Sequence, residues 1–475
     1  MSRNNRKFYI TTPIYYVNDK PHVGHAYTTV LADVLARWHK LQGKKVFFSA
    51  GTDEHGAKIE IAAIAAGKNP QEFVDEKAKD FEAAWKKLNI SYNNFIRTTD
   101  KKHEQAAAGI LDIFHEERLV YQDIYKGLYC QGCEQYKTED DLIDGKCPDH
   151  QVEPELMEEK SYFFNLAKFG NMVLEKIETD EFKIEPEERK NEVVSFIQGG
   201  LKDISISRKN VKWGIPLPFD KNFTIYVWIE AFLSYLTSLG WKGSQDKLPA
   251  MWPPDVQLMS KDILRVHATI WPALLLALDI SLPQKIFVHG YFTINGQKMS
   301  KSLGNVIWPE EMVEKFGACG ARYLLMSSLA YGHDGDISWE KLTEKYNADL
   351  VNGLGNLISR TIVLAQKINF KCGVDKNKGI SERIKNLYEE IKPREILEEI
   401  WKEINWANKY IEEKKIWELV KNDEDEAKKV LDELFITIGD VAENLKPFMP
   451  EIAHRILQIL EAGEMKEGEV LFPRV

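Results

Sequence analysis

The sequence contains no apolar run long enough to cross a bilayer. The longest, Ile270 to Leu278, holds nine residues and ends at Asp279, whereas a membrane-spanning helix needs about 20. A removable targeting segment is also missing from the pattern, because Arg3 and Arg6 lead directly into the strand-like stretch Phe8 to Tyr16. These observations argue against a membrane partner and predict a cytoplasmic protein.

Cysteine is scarce, and low-complexity sequence is missing. Five cysteines among 475 residues do not make a disulfide framework, and no tract rich in proline, glycine or serine indicates disorder. Hydrophobic residues make up 44% and charged residues 29%, as in ordinary globular proteins. A chain of this length is expected to form roughly two to four domains.

Positive charge is not in excess. The formal net charge of −10 weighs against a polyanionic partner, because phosphate contacts need clustered Lys and Arg. Net charge is a global sum, however, and basic groups such as Lys414 and Lys415 are available locally. Motifs must therefore decide whether the chain binds nucleic acid.

The first 66 residues alternate between strand and helix patterns. Phe8 to Thr12 is predicted as a strand that Pro13 ends, and Val46 to Ala50 as a second strand. Helices are predicted from Val23 to about Gly43 and from Ala57 to Ala66. This order predicts an α/β fold with a doubly wound, Rossmann-like parallel sheet, whose ligand lies beyond the carboxyl ends of the strands.

The alternation is interrupted once and is later replaced by helices. From about Tyr121 to Trp213 the strand and helix order is lost, which predicts an insertion. Three further strands are predicted, at Thr224 to Trp228, Val256 to Met259 and Ile286 to His289. After about Glu344 the chain consists of amphipathic segments, which predict an α-helical bundle.

His22-Val23-Gly24-His25 stands where the first predicted strand gives way to the first helix. Backbone N–H groups at a helix N-terminus favour phosphate, and Gly24 has no Cβ to keep a nucleotide away. The two imidazoles lie on one helix face and can donate hydrogen bonds to phosphate oxygens. Alone, the motif fits a polar helix start better than a nucleotide site.

A second motif, Lys298-Met299-Ser300-Lys301-Ser302, lies between Gly296 and Gly304 in a predicted loop. Its lysines bring two point charges that can neutralise a leaving pyrophosphate, although a solvated basic loop would look the same. The two motifs together are more specific. HxGH at the first strand-to-helix turn, followed about 270 residues later by KMSKS, resembles the paired signature of the class I aminoacyl-tRNA synthetases.

Further motifs narrow the resemblance to the methionyl-tRNA synthetase family in its bacterial and organellar form. They cover nearly the whole chain and comprise Thr11-Thr12-Pro13-Ile14-Tyr15-Tyr16-Val17-Asn18, Gly51-Thr52-Asp53-Glu54-His55-Gly56, Tyr226-Val227-Trp228, Lys261-Asp262-Ile263 and His289-Gly290-Tyr291. Two positions depart from the family's usual pattern. Glu230 stands where Asp is common, which is a mild change, and Ser260 adds a side chain where Gly usually precedes Lys261.

The resemblance implies an activity. The enzyme would activate L-methionine with ATP, accompanied by Mg²⁺, and transfer it to the 3′-terminal adenosine of initiator and elongator methionine tRNA. The catalytic residues implied are His22, His25, Lys298 and Lys301, and the ATP-binding residues are His22, Gly24, His25 and Lys301.

The resemblance also implies a methionine pocket. Its residues are Ile14, Tyr16, Trp228, Ala231, Tyr235, Ile263 and His267, with Asp53 holding the substrate ammonium. A thioether packs well against aromatic rings, and its sulfur can weakly accept a hydrogen bond from Tyr235 or His267. Without the resemblance, Trp228 and Tyr235 would be interpreted as core aromatics.

The C-terminal helices are expected to read the anticodon. Between Tyr346 and Lys367 the apolar residues form one stripe and leave Asn356 and Arg360 on the polar face. Unpaired bases can be read by hydrogen bonds and by stacking, and Asn356, Arg360 and Trp417 resemble the family's anticodon readers. On pattern alone, Arg360 would be a solvated charge and Trp417 a core or rim residue.

Cys130 and Cys133 form a CxxC pair. After thirteen intervening residues, Cys147 and His150 form a CxxH pair. Three thiolates and one imidazole in paired knuckles suit tetrahedral zinc, and four protein ligands leave no open position for catalysis. The pattern therefore predicts one structural zinc ion within the insertion, the alternative being a chance spacing.

The predicted domains follow from these boundaries. They are a nucleotide-binding catalytic domain, first half, at 1–120; a connective insertion with the zinc knuckle at 121–215; the second catalytic half at 216–285; the KMSKS-loop region at 286–345; and a helical anticodon-binding domain at 346–475. A monomer is expected, although some family members continue beyond this point into a tRNA-binding dimerisation domain.

Three alternatives stand beside this interpretation. A class I synthetase for Leu, Ile or Val would carry a large editing insertion, whereas the insertion here is mostly the zinc region. A small nucleotidyltransferase with the same nucleotide motifs would lack the helical bundle. A non-catalytic RNA-binding protein with a zinc knuckle would not need both catalytic motifs.

Overall fold

The structure, a computed structural model, describes residues 7–132, 135–137, 139–148, 151–243, 247–299, 304–370, 379–466 and 469–475. The strands are β1 (Lys7–Tyr16), β2 (Lys45–Asp53), β3 (Asn94–Arg97), β4 (Val120–Cys130), β5 (Gln135–Lys137), β6 (Glu155–Phe164), β7 (Lys183–Glu185), β8 (Ile204–Ser205), β9 (Ser207–Arg208), β10 (Thr224–Ile225), β11 (Val256–Ser260), β12 (Lys285–His289), β13 (Phe292–Ile294), β14 (Gln297–Lys298) and β15 (Gly335–Ile337).

The α-helices are α1 (Val23–Leu41), α2 (Ala57–Ala65), α3 (Pro70–Lys87), α4 (Lys101–Glu116), α5 (Gly170–Glu178), α6 (Glu187–Gln198), α7 (Val227–Thr237), α8 (Leu264–Ala277), α9 (Pro309–Ser328), α10 (Trp339–Lys345), α11 (Asn356–Lys367), α12 (Glu382–Glu389), α13 (Pro393–Lys414), α14 (Ile416–Asn422), α15 (Glu424–Leu445) and α16 (Pro450–Ala462). A π-helical stretch, Tyr346–Gly355, leads into α11. Among the described residues no helix is both long and apolar enough to cross a membrane.

A six-stranded parallel sheet forms the centre of the fold, in the order β3-β2-β1-β11-β12-β7. The chain moves outward from β1 in one direction through β2 and β3 and in the other through β11 and β12. This reversal confirms the predicted parallel sheet, and it opens a crevice at the carboxyl ends of β1 and β11.

The first two strands run further than predicted. Pro13 does not end β1, because the pairing of β1 with β2 shifts register between Thr11 and Ile14. Such an irregularity accommodates a residue that has no N–H group for the ladder. Both strands therefore extend toward the crevice, β1 as far as Tyr16 and β2 as far as Asp53.

The predicted strand from Thr224 to Trp228 is wrong. Only Thr224 and Ile225 pair as a strand, antiparallel to β9, and α7 starts at Val227. The run Ile225 to Trp228 is rich in β-branched and aromatic residues, and a short apolar run of this kind does not distinguish a strand from a buried helix. Trp228 consequently lies in the first turn of α7.

The segment predicted as an insertion folds mainly as a separate antiparallel sheet, in the order β5-β4-β6-β8. Two strands of the segment pair elsewhere: β7 with β12 at the edge of the central sheet, and β9 with β10. The chain thus returns to the central sheet within 121–215, and the exact domain boundaries stay predictions.

The C-terminal helices form the predicted bundle, and the apolar stripe beginning at Leu350 is buried. Arg322 on α9 joins this bundle to the sheet layer. The side chain is 0% exposed, and its guanidinium contacts the Asp33 carboxylate on α1 at 2.7 Å. It also donates to the carbonyl oxygens of Leu88, Pro447 and Phe448, so the sheet layer and the bundle share one buried cation.

Candidate active site

A cavity of about 540 Å³ lies at the carboxyl ends of β1, β2 and β11. Predicted site residues from five separate stretches of the chain line it together. They are Ile14, Tyr16, His22, Gly24, His25, Asp53, Trp228, Ala231, Tyr235, Ile263 and His267. The residues assigned to ATP by the HxGH motif and those assigned to methionine therefore share one space.

His22 and His25 are oriented by the backbone at the start of α1. The Nδ1 atom of His22 accepts a hydrogen bond from the Gly24 N–H at 3.1 Å, and the Nδ1 atom of His25 accepts one from the His22 N–H at 3.2 Å. The rings stack with their centroids 3.8 Å apart. Because both Nδ1 atoms accept, each neutral ring carries its proton on Nε2.

Burial keeps these two rings neutral. It lowers the pKa of His22 to about 4, against a small opposing effect of Asp262. Burial, together with the neighbouring His22, also holds the pKa of His25 well below its usual value. At neutral pH the motif can therefore provide hydrogen-bond donors, and the positive potential comes from the N-terminus of α1.

Gly24 is required by its own helix start. A Cβ at this position would lie 2.9 Å from Cε1 of His22, closer than side-chain carbons approach one another. The sequence predicts that Gly24 allows a nucleotide to approach closely. In the structure the His22 ring also lies against the position that a Cβ on Gly24 would take.

Asp53, Glu54 and His55 point their side chains in three directions, and of these three residues Asp53 lines the cavity. Glu54 accepts hydrogen bonds from Arg97, at 2.7 and 2.9 Å, and from Thr52 at 2.6 Å. His55 bonds to Glu230 instead. The sequence analysis singled out Asp53 alone, and the anchoring of its neighbours has no local sequence signal.

Aromatic rings form the apolar end of the cavity. Phe232, which the sequence analysis missed, lines it beside Trp228, and its ring meets the His267 ring edge to face at 4.9 Å. The available clue was its position. Phe232 directly follows the predicted pocket residue Ala231 on α7, and two neighbouring residues of a helix can both face a crevice.

The expected hydrogen bond to the methionine sulfur is not available in this arrangement. His267 donates from Nδ1 to the carbonyl oxygen of Ile263 at 2.9 Å, so its Nε2 accepts from the Tyr235 hydroxyl at 2.8 Å. Burial lowers the pKa of His267 to about 4, which keeps this ring neutral. Both protons are thus engaged within the protein, and the pocket offers ring faces and edges to a side chain.

Ser260, one of the two departures from the family pattern, is half-buried at the cavity. Its hydroxyl donates to the carboxylate of Asp262, which also lines the cavity. The hydroxyl group that Ser260 adds is therefore hydrogen-bonded to Asp262.

The KMSKS segment reaches the cavity at Met299. Lys298 belongs to β14, whose backbone pairs with β13 at Thr293. Lys301 lies outside the described residues, so its predicted role is untested.

Lys58, at the start of α2, is a second cavity residue that the sequence analysis missed. Its ammonium group donates to the carbonyl oxygen of Gly132 and lies 5.9 Å from the centre of the Tyr16 ring. Both Lys58 and Gly132 line the cavity. Because Gly132 separates the two cysteines of the CxxC pair, the predicted knuckle forms part of the cavity wall.

Two of the four predicted zinc ligands are described. Cys130, at the end of β4, and Cys147 are both fully buried, and the Cys147 carbonyl oxygen accepts from the Gln151 N–H. Cys133 and His150 lie outside the described residues. Within the described parts of the chain no three candidate ligands come together, so the complete set is untested. Of the other two cysteines, Cys319 is buried and Cys372 lies outside the described residues.

The predicted anticodon residues lie on two helices that pack together, α11 and α14. Asn356 is exposed, and Arg360 forms an ion pair with Glu412 at 2.7 Å. Trp417 is half-buried against the core of the bundle. None of the three lines the cavity described above.

Comparison with known proteins gives one consistent result. The chain matches the family described as tRNA synthetases class I (M) over residues 8–154 and 150–362. It is 40% identical to a methionine–tRNA ligase of Caldanaerobacter subterraneus subsp. tengcongensis, over 99% of this chain and 79% of the relative. A methionine–tRNA ligase of Thermotoga maritima is also 40% identical, over 98% of this chain and 77% of the relative.

The fold is shared with solved structures. Mycobacterium tuberculosis methionyl-tRNA synthetase in complex with methionyl-adenylate superposes with a TM-score of 0.90 at 33% identity, covering 99% of this chain and all of that one. The apo form of that enzyme gives 0.82 at 29% identity, over 99% of this chain and 98% of that one. With matches of this extent, the chain belongs to the methionine–tRNA ligase family of class I tRNA synthetases.

Proposed function

We propose that this protein is a methionine–tRNA ligase that forms methionyl adenylate from L-methionine and ATP and then charges methionine tRNA. The observation that carries the proposal is the shared cavity, where the HxGH histidines and the predicted methionine residues meet at the switch point of the sheet. The family assignment is the second support.

In the first step Asp53 holds the substrate ammonium, and Trp228 and Phe232 contact the thioether side chain. The methionine carboxylate then attacks the α-phosphate of ATP, and pyrophosphate leaves. The Nε2–H groups of His22 and His25 donate to phosphate oxygens as charge builds, which stabilises the transition state without a covalent enzyme intermediate. Lys298 and Lys301 neutralise pyrophosphate, and Mg²⁺ accompanies ATP and screens its charge.

In the second step the 2′-hydroxyl of the terminal tRNA adenosine attacks the adenylate carbonyl and AMP leaves. Asn356, Arg360 and Trp417 read the anticodon of initiator and elongator tRNA from the bundle domain at 346–475. The remaining predicted domain boundaries belong to the same proposal, as does a monomer acting in the cytoplasm.

The donors present in the insertion fit one structural zinc ion. Two buried cysteines, Cys130 at the end of β4 and Cys147, are the kind of soft, shielded ligands that zinc prefers. Cys133 and His150 would complete the set. A zinc ion held by four protein ligands stabilises the knuckle and leaves no position for substrate.

Pyrophosphate exchange tests the proposal. The purified protein is assayed for ATP–pyrophosphate exchange with each of the twenty amino acids, and then for charging of methionine tRNA. We expect exchange with methionine above all others, followed by tRNA charging. Exchange with another apolar amino acid, or RNA binding without exchange, would overturn the proposal in favour of one of the alternatives.

A further inference from the structure

A buried ionic cluster lies behind the wall of the cavity. The Glu230 carboxylate on α7 bonds to His55 Nδ1 at 2.9 Å and to His103 Nε2 at 2.7 Å. The three side chains are exposed by 1%, 4% and 0% respectively. The other ring nitrogen of His103 bonds to the Thr237 hydroxyl at 2.8 Å, so one carboxylate ties three elements together. Glu230 does not itself line the cavity.

The segment that His55 belongs to carries the cavity carboxylate. Asp53 ends β2, where its carbonyl oxygen accepts from the Val17 N–H at 3.3 Å. Directly after His55, the Gly56 N–H donates to the Trp213 carbonyl oxygen at 3.0 Å. The segment has two side-chain anchors: the Glu54 carboxylate, held by Arg97 and Thr52, and the His55 ring, held by Glu230.

We propose that Glu230 is a positioning residue for methionine binding, which holds His55 and thereby sets the orientation of the Asp53 carboxylate toward the substrate ammonium. The inference rests on the proposed function, because it takes methionine as the ligand of Asp53. The carboxylate acts through His55 and Asp53 and touches no substrate.

The charge of His55 follows from the groups around it. Glu230 faces it from α7, Glu104 and His103 lie on α4, with Glu104 at 3.8 Å, and Asp53 lies on its own segment. Burial alone would lower the pKa of His55, but the carboxylates of Glu230, Glu104 and Asp53 raise it to about 10. Hydrogen bonds from a charged ring to carboxylates are stronger than those from a neutral one, which helps to fix the segment that carries Asp53.

A double-mutant cycle tests the proposal. Dissociation constants for methionine are measured by calorimetry for the wild type, Glu230→Gln, Asp53→Asn and the double variant. We expect Glu230→Gln to weaken methionine binding by about tenfold, and to leave the double variant no weaker than Asp53→Asn alone, because both changes act on one contact. In pyrophosphate exchange the KM for methionine should rise while kcat and the KM for ATP stay within about threefold.

A purely structural role predicts a different result. The losses would then add in the double variant, or the KM for ATP and kcat would change together with a lower melting temperature, and either result overturns the proposal. Glu230→Asp is the second variant in case Glu230→Gln does not fold. It keeps the charge but is one methylene shorter, so its loss should be smaller and should also vanish in the Asp53→Asn background. Wild-type exchange with methionine is measured first: without it the proposed function fails, whereas wild-type exchange with additive losses refutes only the role of Glu230.

Discussion

His22 uses its two ring nitrogens for different tasks, and two substitutions can separate them. Nδ1 accepts the Gly24 N–H and caps α1, while Nε2–H is left for the cavity. In His22→Asn the side-chain oxygen can replace Nδ1, but nothing replaces the Nε2 donor. In His22→Gln the amide nitrogen can reach the Nε2 position, but the acceptor for Gly24 is lost.

The expected magnitudes differ accordingly. Removing one donor to a developing phosphate charge should slow adenylate formation in His22→Asn by about 10²- to 10³-fold with little change in melting temperature. His22→Gln should keep more of the rate and lose about 1 kcal/mol of stability, the usual cost of a missing N-cap. Rapid-quench measurement of adenylate formation and thermal melting on the same preparations provide both numbers. Equal rate losses in the two variants, or a larger melting shift for Asn than for Gln, would refute the division of roles.

The pH dependence of His22 follows from the same geometry. Its pKa is about 4 in the folded protein and about 6.5 in an unfolded chain, so the unfolded state takes up a proton first as the pH falls. The contribution of His22 to stability is therefore full above pH 6.5 and declines between pH 6.5 and 4. The difference corresponds to about 3 kcal/mol. Unfolding of the wild type and His22→Asn at pH 7 and pH 5 measures the part that is lost in this interval, about 2 kcal/mol, and an identical pH response in the two proteins would contradict this account.

Four further substitutions test the rest of the chain. Lys301→Ala should lower the rate of adenylate formation by about two orders of magnitude or more without changing the melting temperature; a rate within threefold of the wild type in rapid-quench measurements would contradict its assignment. Cys130→Ala should remove about one equivalent of zinc and weaken charging more than global stability, because the knuckle is local; metal analysis that finds no zinc in the wild type would refute this. Trp417→Ala should reduce kcat/KM for tRNA about 5- to 150-fold and spare pyrophosphate exchange, as expected for one lost base stack of about 1 to 3 kcal/mol. A parallel fall of exchange and charging with a lower melting temperature would show instead that Trp417 serves packing. Arg322→Met should lower stability by about 3 to 5 kcal/mol in denaturant unfolding, because it leaves the Asp33 carboxylate buried beside one cation fewer, and an unchanged unfolding midpoint would refute the role of the buried pair.

Hydrophobic periodicity in the sequence identifies helices that pack against the core on one face. The stripe from Leu350 was found because it buries one face, and that face repeats every 3.6 residues, whereas the helix after His22 is buried on every side from Ala26 to Ala36. The same logic could not detect that Tyr346–Gly355 is π-helical, since the apolar positions stay on one side in either geometry.

The errors occur where a local rule was overridden by a neighbouring strand. Proline normally ends a strand, but the register shift after Thr11 lets β1 continue through Pro13. At Trp228 the composition favours a strand, yet the Tyr226 N–H is taken by the Ile206 carbonyl oxygen and the helix begins directly afterward. Neither outcome can be derived without knowing which segment lies alongside.

The site divides in a similar way. The residues that line the cavity follow strand ends and helix starts, and a parallel sheet brings such positions to one edge, so motifs sufficed to collect His22, Asp53 and Trp228. The contacts that hold them have no such regularity. Lys58 meets Gly132 across 74 residues and Glu230 meets His55 across 175, and no spacing along the chain marks either pair.

One long-range contact of this kind joins α1, which starts at the HxGH turn, to the C-terminal bundle. The HxGH turn forms the start of α1, whereas the residues proposed to read the anticodon lie on α11 and α14 of the bundle. Asp33, three turns along α1, receives the Arg322 guanidinium, and Arg322 in turn holds the backbone at Pro447 and Phe448. A displacement of the bundle cannot leave α1 untouched while this fully buried pair is intact, because separating it would cost several kcal/mol. The helix that begins at the HxGH turn is thus held by a buried ion pair to the domain proposed to bind the anticodon.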